Sequence, residues 1–158
     1  MSEEYDRYKR AQAARWLEHV RKLGTKCRSL QAEIDGQREM ASGLSGMDYS
    51  APAVKSSPTP DAVPNAVIRL QRLISDYCTE LVGYVDEQRR AHDALSRIEN
   101  AEQAEALKRH YLLGQSWELC CVEMGYSYDG MMKLRGRGML SLYPHIPLEW
   151  RDPSHPAV

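Results

Sequence analysis

EQAEALKRHYLLGQSWELCCVEMGYSYDGMMKLRGRGMLSL, residues 102–142, reads as three short helices parted by two tight turns, Gly114-Gln115-Ser116 and Gly125-Tyr126-Ser127. In each turn a glycine tolerates the left-handed backbone that ends a helix, and a serine hydroxyl caps the free N–H groups of the next. Trp117 to Met124, between the turns, is about two helical turns long. A short helix, a three-residue turn containing glycine and a basic helix to Leu142 are the pattern of a helix-turn-helix. Upstream, Asn100 is placed to cap a helix from Ala101, with Gln103 reaching back as in a capping box. Ala104, Leu107, Tyr111 and Leu112 form that helix's expected inner face.

Working outward, residues 2–40 favour helix and contain no proline. Ala13, Trp16, Val20, Leu23, Cys27, Leu30 and Ile34 recur in alternating steps of three and four, a heptad seam with Gly24 in its interior. A second seam, Val67, Leu70, Ile74, Tyr77, Leu81, Tyr84, Gln88, Ala91, Leu95 and Ile98, implies a helix from about Asn65 to Glu99. Between them, residues 41–64 are rich in proline and serine without periodicity, and read as a flexible loop. Two striped helices on such a loop can close as an antiparallel, coiled-coil-like hairpin or pair between chains as a homodimer; periodicity leaves both open. The expectation is an all-α chain: a helical hairpin over residues 1–99, a helix-turn-helix over 100–143, and a proline-rich tail over 144–158. In that tail Ile146, Leu148 and Trp150 are placed to fold back, with residues 152–158 disordered.

The net charge of −1 excludes a protein that coats nucleic acid indiscriminately, so any DNA affinity must be local. A charged N-terminus and the lack of a long apolar run argue for a cytoplasmic protein without a membrane partner. Cys27, Cys78, Cys120 and Cys121 lack metal-ligand spacing; they read as small buried hydrophobes, and neither metal nor cofactor is expected. The five histidines are scattered, and no phosphate loop, nucleophile elbow or HExxH is present, so no enzyme is expected. Glu102 and Glu105 fit the N-terminal charge preference of a helix.

In the basic helix, a spacing of about 100° per residue turns Met131, Leu134, Gly138 and Leu142 inward. Tyr128, Asp129, Met132, Lys133 and Gly136 face outward, flanked by Arg135 and Arg137, so three cations meet one carboxylate. Tyr128, Asp129, Met132 and Lys133 lie where side chains of a recognition helix reach base edges; Arg135 and Arg137 lie where they reach phosphates. Gly136 suits a close approach of backbones. Ser116 and Ser127 either cap their helices alone or also offer a hydroxyl to a phosphate. Tyr111, Trp117 and Leu119 read as core. Arg7, Lys9, Arg10, Arg21, Lys22 and Arg28, interleaved with acids, read as a solvated face. Gly130, Gly136 and Gly138 each weaken a helix by about 1 kcal/mol, which predicts a helix completed on DNA.

The run Tyr111, Gly114, Ser116, Trp117, Glu118, the Met124-Gly125-Tyr126-Ser127 turn and the basic positions after it resemble region 4 of bacterial sigma-70-type factors. With the Leu134-Arg135-Gly136-Arg137 segment and a long helical N-terminal part, the chain is similar to small phage-encoded sigma-like regulators of the RinA/ArpU-like group. Leu119-Cys120-Cys121 departs from the Ile-Ala that sigma factors favour there. The resemblance implies a phage or prophage transcription activator of late genes, working in a bacterial host on double-stranded DNA with RNA polymerase. The alternative is a helical interaction or packaging protein, resembling a small terminase subunit, that uses the helix-turn-helix for docking.

Overall fold

The computed structural model describes residues 3–45 and 62–152. Among these residues there is no strand, and the chain is all-helical. The α-helices are α1 (Glu3–Ser45), α2 (Ala62–Ser96), α3 (Ala101–Leu107), α4 (Trp117–Met124) and α5 (Tyr128–Leu142). A π-helical turn, Lys108–Leu112, prolongs α3, and 3-10 turns follow at Tyr143–His145 and Leu148–Trp150. No described helix is long and apolar enough to cross a membrane. Most of the expected loop, residues 46–61, lies outside the described residues. Its two ends are helical instead: α1 runs on to Ser45, and α2 begins at Ala62. Pro64 is no obstacle, because N–H groups in a helix's first turn have no intrahelical acceptor.

The chain divides into two compact units, Met1–Gly24 with Tyr84–Val158, and Thr25–Gly83. In the first, Ala13, Trp16, Leu17 and Val20 of α1 share one core with Ala91, Ala94, Leu95 and Ile98 of α2. Leu107, Tyr111, Leu112, Met139, Leu142, Tyr143 and Ile146 belong to the same cluster. The core therefore runs across the boundary expected at residues 99–100. Three helices of 7, 8 and 15 residues bury too little apolar surface to stand alone, and α1 and α2 complete it. A smaller cluster, Ala106, Cys120, Met131 and Leu134, lies between α3, α4 and α5. The indole of Trp16, fully buried, donates to Glu87 Oε2 at 3.0 Å, which satisfies its one polar group. Gly24 admits the Tyr84 ring: a Cβ there would lie 3.1 Å from it.

In the second unit Cys27 and Ile34 of the α1 seam are buried. Lys26 and Glu80 form an exposed ion pair at 2.6 Å. Val67, expected in the α2 seam, is 48% exposed, and so are Ile68 beside it at 47% and Val82, several turns further along, at 65%. Two helices have only one mutual face, so a second apolar stripe on α2 stays uncovered. Cys78 is likewise exposed, not buried as expected.

Other local expectations need correction. Asn100 caps α3 by accepting from Gln103 N at 3.0 Å. The reciprocal half of the capping box is not made, because Gln103 Oε1 accepts from Ser141 Oγ of α5 at 2.8 Å. Leu119 is 42% exposed: on an eight-residue helix the inward line runs through Trp117, Cys120, Cys121 and Met124 and misses it. Leu148, expected to fold back, is 77% exposed, whereas Ile146 is buried and Trp150 lies against the His19 ring at 5.0 Å. Asp152 is tied down, accepting from Tyr8 Oη and donating its N–H to Gln12 Oε1. The rest of the segment expected to be disordered, 153–158, lies outside the described residues.

α5 is continuous over all fifteen residues, Gly130, Gly136 and Gly138 included. Gly138 serves packing, which offsets its low propensity. A Cβ on Gly138 would sit 3.1 Å from Leu107 Cδ1 and 3.4 Å from its Cγ, so this position lets α3 and α5 approach closely. Leu107 is fully buried and cannot yield. Gly138→Ala is therefore expected to destabilise by about 1–3 kcal/mol in urea denaturation. Gly136→Ala, whose nearest neighbour would stand at an ordinary 3.6 Å, is expected to stabilise by about 0.5–1 kcal/mol.

The π-turn brings His110 onto Trp117, ring centroids 4.1 Å apart and nearly parallel. Its Nδ1 donates to the Gln115 carbonyl at 2.7 Å, which fixes the tautomer. Burial holds this imidazole below its ordinary pKa of 6.5. As pH falls, the unfolded chain takes up the proton first. The stability contribution is fully present above pH 6.5 and is lost as pH drops through the depressed value. Thermal melts are expected to show a lower Tm at pH 5.5 than at 7.5. His110→Asn, which keeps a donor but cannot titrate, should flatten that slope.

Candidate nucleic-acid interface

The turn between α4 and α5 is set by its own three residues. Gly125 takes φ 73°, a left-handed conformation that a side chain would strain. Tyr126 N–H returns to Cys121 O at 3.0 Å and satisfies a terminal carbonyl of α4. Ser127 Oγ accepts from Gly130 N at 3.0 Å, opening α5, as Ser116 Oγ accepts from Leu119 N at 3.2 Å to open α4. Both serines are exposed caps. Tyr126 Oη donates to Glu102, and Arg109 pairs with both Glu105 and Glu123, so α3 is braced against α4 and the turn. Glu102 and Glu105 are thus bound to partners in addition to sitting at a helix start.

On α5, Met131, Leu134, Gly138 and Leu142 are buried, together with Met139. Tyr128, Asp129, Lys133 and Arg137 are exposed, and Met132, Arg135 and Gly136 are half-buried. Lys133 and Asp129 form a pair at 3.6 Å with both side chains largely in solvent, which contributes little. Arg137 has no carboxylate partner among the described residues.

Arg135 differs from the other cations. Its Nε donates to Tyr111 Oη at 3.1 Å, and its guanidinium lies 5.9 Å from the Trp117 ring centre. Tyr111 is almost fully buried, and burial raises its pKa although Arg135 opposes this. Arg135 therefore braces α5 on α3 and α4, and its head is engaged inside the protein. Trp117 is half-buried and stacks on the His110 imidazole, with the Arg135 cation also close to its ring.

The sequence reading missed α1. The half-buried side of α5 faces its first turns: Arg7, Arg10, Ala11 and Ala14 line one wall of a groove whose other wall is Met132, Arg135, Gly136 and Met139. Beside it, Arg10, Asp129, Met132, Lys133, Gly136 and Arg137 surround a shallow cavity of about 350 Å³. Lys9 lies over the Tyr5 ring at 4.2 Å and Arg21 is paired with Glu18, so these two are engaged locally. The available cue was the pair of small residues, Ala11 and Ala14, on the face of α1 that carries Arg7 and Arg10. No group of three or more His, Cys, Asp or Glu residues is arranged to hold a metal among the described residues. Burial raises the thiol pKa values of Cys27 and Cys120, which makes them poor nucleophiles.

Compared with protein-family models, with curated proteins and with solved structures, the chain matches none.

Two neighbouring arginines are expected to behave differently. Arg135→Ala removes a partly buried hydrogen bond and a cation–aromatic contact, about 1–2 kcal/mol together, and should lower Tm by several degrees. Arg137→Ala, in solvent, should leave Tm within a degree or so. Melting curves of the two variants at pH 7.5 check the assignment.

Proposed function

We propose that the chain is a sequence-specific, double-stranded-DNA-binding transcription regulator of phage or prophage type, built as a helical hairpin carrying a helix-turn-helix. The observation that carries this reading is the α4–Gly125-Tyr126-Ser127–α5 arrangement, capped at both helix starts, with Tyr128, Asp129, Lys133 and Arg137 open to solvent on α5. In this reading α5 enters the major groove. Tyr128, Asp129, Met132 and Lys133 meet base edges, and Arg137 a phosphate. The exposed N-termini of α4 and α5 offer Ser116, Ser127 and free N–H groups to the backbone. Arg135 is a positioning residue, and Gly136 keeps the helix surface low.

The resemblance to sigma region 4 supports a role beside host RNA polymerase on late genes, in the bacterial cytoplasm. A net charge of −1 fits modest intrinsic DNA affinity raised by a protein partner. A second reading rests on one observation, the uncovered apolar positions Val67, Ile68 and Val82 of α2. They favour self-association, as a homodimer or as the ring of a DNA-packaging protein.

Selection of duplexes from random DNA, followed by fluorescence anisotropy, tests the proposal. The expected outcome is a preferred site whose affinity falls at least about tenfold in Lys133→Ala/Arg137→Ala, with the fold retained. Unchanged binding by the double variant would remove α5 as the reading helix. No duplex binding, with co-purification of polymerase subunits or a large ring on sedimentation, would favour the interaction or packaging reading.

A further inference from the structure

We infer that Arg10 of α1 belongs to the DNA-contacting surface, and that Arg10, Lys133 and Arg137 together cradle one backbone phosphate over Gly136. This rests on the DNA-binding reading and extends it to a helix whose basic residues the sequence presents as a solvated face.

The geometry begins with the missing side chain. A Cβ built on Gly136 would lie 3.6 Å from Arg10 Nη1 and 3.8 Å from its Cδ. The arginine stem therefore lies across the bare backbone of α5, with its guanidinium beside the helix surface. Lys133 and Arg137, four residues apart, share the face of α5 next to Gly136 and line the same cavity as Arg10. These four residues, with Asp129 and Met132, form the wall of the 350 Å³ cavity, and of them Lys133 and Arg137 are exposed. Three cations meet one carboxylate there, and that carboxylate already leans on Lys133.

Charge accounting favours an external anion. The chain has 21 basic and 22 acidic residues, so carboxylates are abundant. Even so, neither Arg10 nor Arg137 has a carboxylate partner among the described residues. Arg7, one helical turn before Arg10 on the same face, has none either. Guanidinium groups of Arg10 and Arg137 left unpaired in a chain with acids to spare, lining one cavity beside a glycine, suit a phosphodiester, whose two free oxygens match the arginine fork. A bare helix-turn-helix of this composition has few cations for the backbone; α1 supplies the shortfall from the other end of the sequence.

The test is the salt dependence of binding to the selected duplex. Loss of one phosphate contact lowers the slope of log K against log salt by about 0.9, on the order of eightfold in affinity at 0.1 M when that slope is extrapolated to 1 M. Arg10→Gln keeps the stem over Gly136 and is expected to show that loss with an unchanged preferred sequence and Tm. Arg10→Lys should recover most of the slope. Arg38→Ala, an exposed arginine elsewhere on α1, should match wild type. If Arg10→Gln keeps the wild-type slope while Lys133→Ala/Arg137→Ala lowers it, the cradle is wrong and the recognition helix stands. If the wild-type chain binds no duplex, both fall.

Discussion

Trp16 is fully buried, and the ring can be so only because α1, α2 and the C-terminal helices close around it together. A buried indole is worth several kcal/mol of apolar burial, but only if its N–H finds a partner; Glu87 on α2 supplies one. The same closure covers Leu107, Met139 and Leu142. The helices that carry the candidate interface thus depend on α1 for a core, and α1 is drawn alongside α5 as a result. The contact between Arg10 and Gly136 follows from hydrophobic packing a few residues further along the same helix.

What could be read from the sequence was what is local. Gly125 and Ser127 fix their turn through bonds within a few residues, so their chemistry was visible in order of writing. The inner faces of α3 and α5, and the buried stretch of α1 around Trp16, follow from helical period alone. The contact of Arg10 with α5 spans more than a hundred residues and carries no periodic signal; Ala11 and Ala14 were the only trace. The π-turn was invisible for a different reason. Its hydrogen bonds, such as Leu113 N–H to Lys108 O, reach one residue further than those of an α-helix, and Tyr111 and Leu112 face inward in either geometry.

Arg135 has contacts that residue type alone does not reveal. Its place among basic residues suggests a phosphate contact, and its Nε also donates to Tyr111 Oη beside the Trp117 ring. The glycines mislead in the opposite sense. By propensity they weaken α5, yet the close approach of Leu107 at Gly138 replaces what is lost with packing.

The first compact unit is discontinuous in sequence, and this has a consequence for the order in which the chain is made. Trp16, Leu17 and Val20 leave the ribosome early, while Leu107 to Ile146, which cover them, are synthesised some 90 to 130 residues later. At roughly 5–20 residues per second that is an interval on the order of 5–25 s. During it, the buried stretch of α1 has at most the cover of Ala91, Ala94, Leu95 and Ile98 on α2. A nascent chain with such a gap is an object for a holdase, and the candidate interface comes into being only after the last of its helices has been released.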